Sequence, residues 1–437
     1  MAKDLEAARP VAHSLPEIEG QLDKLWAHAA VARADAAKAE AALVAAQAEA
    51  AARASAALAA ARETSDAGGH HVAARTSVLN LVVVAIDEPT AAACAATIAA
   101  TASRHASRSL ILCATDPDGA SGLDARIEAL SSTMSDGAEA GAETIYITAH
   151  GETGRHLASI IVPLLVHDLP VALWWPNDPT FVSHRADRML PLADRLIVDG
   201  SAWSGSGLDL LGQMADVAVE RHLVVVDWAL LRQARWREAL ASVYDLPDLR
   251  PHLGAVRRIH IDYAAAEPGD PEGDTNVVRP LYHVAWLASR LGMSVVEPIK
   301  RGADGRRVAT LRQAQHTVDV VLRPTTSSLG AGSTVRIEIA SRLRGAELVG
   351  SVAAGDRTVE VTVVDDGRER VRRSYLAPRL KDVELLGLAV EDAAADPVAV
   401  HALAMAKKLL GVESGTHRPA ASGRTRATGA HRSQGHD

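Results

Sequence analysis

One Phe and two Cys are all that 437 residues contain of those types, and no apolar run is long enough to cross a membrane. Cys94 and Cys113 stand apart, with no CxxC spacing and no clustered His, so neither a disulfide framework nor a zinc site is expected. The opening MAKDLEAARP lacks the basic and apolar regions of a secretory leader, which places the chain in the cytoplasm as an expectation. Positive charge is not in excess either: the formal net charge is −8, which argues against a general nucleic-acid or membrane-surface binder. With Phe nearly absent, the large aromatic positions fall to Trp26, Trp174, Trp175, Trp203, Trp228, Trp236 and Trp286. The rest of the core must be Val, Leu, Ile and Ala.

Two of those Trp are adjacent. Val162–Pro179, VPLLVHDLPVALWWPNDP, delivers Trp174 and Trp175 from an apolar strand into a turn in which Asn177 and Asp178 sit between Pro176 and Pro179. Neighbours on a strand point to opposite faces, so both rings cannot enter one core, and at least one is expected near a surface or a second domain. Two accounts stand side by side: a strand buried on both faces that ends in a tight turn, or a rigid aromatic contact surface.

Along the chain, Ser14 and Glu17 have capping-box spacing, and Leu15, Ile18, Leu22, Leu25 and Trp26 continue at helical intervals. An Ala-rich arm follows from Ala27 to Ala61 and stops at Gly68 and Gly69. Strands are expected at Ser77–Ile86, Ser109–Cys113, Ala125–Leu130, Thr144–Ala149, Val171–Trp175 and Arg195–Val198, with helices at Thr90–Arg104 and Arg155–Leu165. That alternation predicts a mainly parallel sheet covered by helices. SAWSGSG, Ser201–Gly207, reads as a domain boundary. Beyond it come helices at Leu208–Glu220, Asp227–Asp245, Leu281–Gly292, Asp382–Glu391 and Pro397–Leu410, strands at Leu223–Val226 and Val256–Tyr263, and an antiparallel meander over Arg306–Tyr375. The expected architecture is α/β: an N-terminal helix and arm over 1–68, an α/β sheet domain over 69–203, an α+β domain with an antiparallel meander over 204–411, and a disordered tail over 412–437.

Three motifs invite chemistry. AHGETG, Ala149–Gly154, approaches the histidine-phosphatase signature but has Ala149 where that chemistry needs a phosphate-clamping Arg. SGSGLDLLG, Ser204–Gly212, has its third Gly too late for a dinucleotide turn, and LGAGST, Leu329–Thr334, lacks the Lys of a phosphate loop. The arginines at 306, 307, 312, 323, 336, 342, 344, 368, 370, 372 and 373 read as the solvated face of a one-sided sheet, or as a binder of phosphates or an acidic partner. Trp228, Trp236 and Arg237, following Asp227 in one helical region, again suit a contact surface or ordinary packing. No Ser, His and Asp set with local context appears.

Several segments together resemble the OpcA family, the glucose-6-phosphate dehydrogenase assembly proteins of cyanobacteria and actinobacteria. They are the LxxLW helix at Leu22–Trp26, ARTSVLNLVVV at Ala74–Val84, the run from Pro163 through LWWPNDP, Asp227–Glu238, and AWLASRLG at Ala285–Gly292. These lie in order over most of Leu15–Leu410, with Asn177 standing where the family's Gly is expected. The resemblance implies a non-catalytic protein, without cofactor or metal, that associates with glucose-6-phosphate dehydrogenase and promotes its active oligomer. Contact residues are then expected among Trp174, Trp175, Pro176, Asn177, Asp178, Trp228, Trp236 and Arg237. The alternatives are a sugar-phosphate- or nucleotide-binding enzyme using the sheet's carboxyl edge, and a nucleic-acid-binding module with its arginines on one face.

Overall fold

The computed structural model describes residues 11–24 in part and residues 78–411 apart from short interruptions, the longest at 134–138, 266–274 and 392–394. The Ala-rich arm, most of the acidic loop before Thr275 and the Arg/His tail lie outside the described residues. Glu17 does accept a backbone N–H at the first helical turn, but from His13 at 2.9 Å, one residue before the expected cap.

Sheet 1 contains β1 (Val11–Ala12), β2 (Leu79–Ala85), β3 (Ser107–Thr115), β4 (Gly122–Thr133), β5 (Glu139–His150), β6 (Val171–Trp175), β7 (Arg195–Val198) and β8 (Val224–Asp227). Their order is β1-β4-β5-β3-β2-β6-β7-β8. All pairings from β5 to β8 are parallel, while β4 runs antiparallel to both β5 and β1. Taken in chain order, the six parallel strands are arranged 3-2-1-4-5-6, and the order reverses between β2 and β6. Helices α1 (Glu88–Thr101), α2 (Leu157–Ile161), α3 (His184–Met189) and α4 (Leu208–Glu220) accompany these strands.

Because both faces of the sheet are covered, β2 and β6 are buried at every position, apolar throughout except for Asn80, and their alternate residues enter different cores. Val82, Val84, Leu173 and Trp175 join one; Leu81, Val83, Ala172 and Trp174 join the other. The first core continues without a break into the inner face of sheet 2, through Ile259, Ile261, Val320, Ile337 and Val361.

The chain crosses to sheet 2 through α5 (Trp228–Leu231) and α6 (Ala234–Val243), where one continuous helix was expected. Sheet 2 comprises β9 (Val256–Ala264), then, after α7 (Val278–Arg290), β10 (Ser294–Arg301), β11 (Arg307–Gln313), β12 (His316–Thr325), β13 (Thr334–Leu343), β14 (Ala346–Ala354), β15 (Thr358–Asp365) and β16 (Arg368–Leu376). The meander over Arg306–Tyr375 is present but interrupted, since β9 lies between β12 and β13, parallel to the first and antiparallel to the second. Helices α8 (Asp382–Glu391) and α9 (Pro397–Leu409) close the described fold. Ser201–Gly207 does not end the first sheet as expected, because α4 and β8 follow it and β8 forms the far edge of sheet 1.

On the outer face of sheet 2 the arginines meet carboxylates. Arg323 lies 2.8 Å from Asp262, Arg336 3.2 Å from Glu338 and Arg258 3.2 Å from the same Glu338. Those pairs, two of them across strands and Arg336–Glu338 along β13, fit the solvated-face account better than a phosphate cradle.

Candidate functional site

The carboxyl ends of β2, β6, β7 and β8 converge on a crevice at the point where the strand order reverses, the place where open α/β sheets hold ligands. A cavity of about 430 Å³ lies there, lined by Thr90 and Cys94 of α1, Trp174, Asp199, Trp228 and Asp382. Both indoles are buried, Trp174 at 3% exposure and Trp228 at 4%, with ring centroids 5.2 Å apart. Trp175 is 1% exposed on the opposite face and meets Phe181 edge-on at 6.2 Å. The expected parity of the two rings is therefore present, but neither ring forms an open aromatic surface, because helices cover both faces. What remains partly exposed at this turn is Pro176, Asn177 and Asp178. Asp178 is held by Ser204, whose backbone N–H and hydroxyl both donate to its carboxylate.

The second group of expected contact residues does not share a surface. Trp228 caps the crevice, whereas Trp236 packs on the other core, 5.7 Å from His283. Arg237 turns inward to donate to the Leu230 carbonyl at 2.8 Å, and burial pulls its guanidinium below the usual range.

Beneath the crevice is a polar cluster that sequence reasoning missed, apart from Asp227 as a helix cap. Asp227 Oδ1 accepts from the N–H of Gly200 at 2.9 Å and of Ala229 at 2.8 Å, and its Oδ2 accepts from the Tyr282 hydroxyl at 2.9 Å. Burial first, and then the nearby Asp199, push its carboxyl up to about 7. Asp199 accepts from Arg232 at 2.7 Å and from the Ser201 hydroxyl at 2.5 Å. Arg279 donates to the hydroxyls of Ser201 at 2.9 Å and Ser333 at 3.0 Å.

The two Gly motifs end in this same region without forming a phosphate loop. Gly207 has φ +72° and Gly332 φ +74°; a Cβ on the first would meet Asn276 Nδ2 at 2.8 Å, and on the second Asn276 O at 2.5 Å. Both glycines therefore exist for close approach to Asn276, whose side chain donates to the carbonyls of Gly200 at 2.9 Å and Trp203 at 3.0 Å. Asn276 Oδ1 accepts from Val278 N at 3.0 Å at the start of α7, but the two carbonyls the side chain donates to are more than 70 residues away and leave no local signal. At AHGETG, His150 is engaged on both ring nitrogens, by Thr115 at 2.9 Å and Asp124 at 3.3 Å. Arg155 turns to Glu152 at 3.2 Å, so no phosphate clamp assembles there.

The strand order is that of dinucleotide-binding folds, but the residues do not fit a dinucleotide. The turn after β2 reads Ala85-Ile86-Asp87-Glu88-Pro89 with no Gly to admit a pyrophosphate. The first helical N–H groups that would hold phosphate face Asp87, whose carboxylate accepts from Thr90 N at 2.8 Å. Asp199 and Asp382 line the cavity and share Arg232, at 2.7 and 3.6 Å, and Leu385, Leu386 and Ala389 of α8 pack with Cys94, Ile98, Trp174 and Trp228.

These features define an α/β protein with a dinucleotide-type sheet, no phosphate cradle, and a second, largely antiparallel sheet. The chain belongs to the OpcA family of glucose-6-phosphate dehydrogenase assembly proteins. It matches the domain described as glucose-6-phosphate dehydrogenase subunit N-terminal domain over residues 98–215 and the corresponding C-terminal domain over residues 224–398. It is 32% identical over 148 residues to the OpcA protein of Synechocystis sp., a stretch spanning 33% of this chain and 29% of that relative. Among solved structures it is similar to the UDP-N-acetylglucosamine 3-dehydrogenase GnnA of Acidithiobacillus ferrooxidans, at 10% identity and TM-score 0.40, covering 76% of this chain and 99% of that one. It is also similar to a super-repressor mutant of Gal80p from Saccharomyces cerevisiae, at 11% identity and TM-score 0.39, covering 76% and 95%. Among the described residues no helix is long and apolar enough to cross a membrane.

Proposed function

We propose that this chain is a non-catalytic assembly factor that binds glucose-6-phosphate dehydrogenase and favours its active oligomer. The observation that carries this reading is the family match in both halves of the chain, in order. The crevice supports it, because the turn after β2 has no Gly to admit a pyrophosphate and the neighbouring Arg232 is already held by Asp199 and Asp382. To activate, the chain must bind the active dehydrogenase state better than the inactive one, since equal affinity shifts nothing. A coupling of about 1 to 3 kcal/mol changes the ratio of the two states roughly five- to 150-fold. Pro176, Asn177 and Asp178 remain proposed contacts at the rim, while Trp174, Trp175 and Trp228 act from beneath by fixing that rim, and Trp236 and Arg237 support the adjoining helix. The test is co-purification of the tagged chain from its host, followed by dehydrogenase assays with and without it. Dehydrogenase in the eluate and a raised specific activity are expected; a clean eluate and unchanged activity would refute the reading.

A further inference from the structure

Exposed apolar surface is concentrated elsewhere on the molecule. Nine large hydrophobic side chains are exposed among the described residues, and three of them, Val219 of α4 at 62%, Val296 of β10 at 42% and Val400 of α9 at 50%, line a single groove of about 820 Å³. Isolated exposed valines are ordinary, but a contiguous set in a groove marks a place where something binds. The lining is otherwise apolar except for Ser294 and two lysines, so every charge on it is positive. Lys407 is buried and pairs with Asp216 at 2.6 Å, whereas Lys408 is exposed.

The shape of the walls decides what kind of segment fits. The groove runs between two helices and the outer edge of sheet 2, where β10 is the terminal strand. That edge is unsuited to an added strand: Pro298 removes a donor, and the register shifts twice between Val295 and Lys300. A helix laid between α4 and α9 needs no such ladder and buries its apolar side chains on the three valines.

We infer that this groove receives an amphipathic helix of the dehydrogenase, apolar on one face and acidic where its flank meets the exposed Lys408. The inference rests on the assembly reading and adds the surface and the chemistry of its partner. Full-length chain carrying V219E and V400E together should bind purified dehydrogenase at least tenfold more weakly than the unaltered chain. K408E alone should weaken binding several-fold, and R312E, on the outer face of sheet 2, should leave it unchanged. Melting curves of each variant accompany the titrations. Unaltered affinity in folded groove variants would overturn the inference while leaving the assembly reading in place. A groove variant that melts many degrees lower would mean that this chain covers its own groove, and one that turns a dimer into a monomer with dehydrogenase binding intact would assign the groove to a second copy. Either result overturns it. Failure of the unaltered chain to bind dehydrogenase would remove both readings together.

Discussion

Asp227 is a buried carboxylate, and its protonation couples to folding with a definite sign. Its folded value of about 7 lies above the ordinary 3.8. Below about pH 4 both folded and unfolded chains hold the proton; between about pH 4 and 7 the unfolded chain releases it while the folded chain keeps it, so this group's contribution to stability is lost as pH rises through that window. Asp227→Asn keeps an oxygen for the Gly200 and Ala229 N–H groups and should flatten that part of the stability profile, measured by denaturant titration at several pH values. A variant profile that still falls between pH 4 and 7 would assign the effect to another group. The Trp pair makes a second residue-scale forecast. Since both rings are buried, Trp174→Ala and Trp175→Ala should each cost about 3 to 5 kcal/mol and weaken dehydrogenase binding only in proportion to unfolding. Folded variants with selectively lost affinity would show a direct contact. The opposite orientation of the rings was legible from strand parity alone. Their burial was not, because it depends on α8, more than 200 residues further on, covering the Trp174 side.

Among the elements, those whose ends carry their own punctuation were readable. Helix α4 begins after Gly207 and α9 after Asp396 with Pro397, and both fall where spacing predicts them. The break between α5 and α6 was not readable, because Arg232 and Gln233 contain no Gly or Pro and the apolar spacing runs across the interruption. The Gly motifs were correctly read as loops, yet their purpose lay with Asn276. Asn276→Ala removes two donated bonds and one accepted from Val278 N, and should lower stability by about 2 to 4 kcal/mol in chemical denaturation. Gly332→Ala should cost more than about 1 kcal/mol, since it places a Cβ 2.5 Å from a backbone oxygen at a left-handed φ. A neutral result at either position would mean that the loops can separate without loss.

At the scale of the molecule, the two sheets share one core, so calorimetry should record a single cooperative transition. Two resolved transitions would show that they unfold independently. Addition of NADP at millimolar concentration should leave that transition in place, because binding to the folded state alone would raise it, and the crevice presents carboxylates where phosphates would sit. The class of the fold was legible from alternating strand and helix patterns. The strand order, and the continuation of sheet 1 beyond Ser201–Gly207, were not, since parallel neighbours are chosen by crossovers that leave no local trace.

The insertion of β9 between β12 and β13 has a consequence in time. Ile259 is paired with Val320, about 60 residues later, and with Ile339 later still. At roughly 5 to 20 residues per second of synthesis, β9 waits about 3 to 12 s for its first neighbour. Throughout that interval it is a strand with an uncovered apolar face, Ile259, Ile261 and Tyr263, and two open edges, a form prone to pairing with other chains. A chain ended after Gln313 keeps β9 but has neither neighbour, and it should aggregate on expression where the chain ended after Gly411 stays in solution.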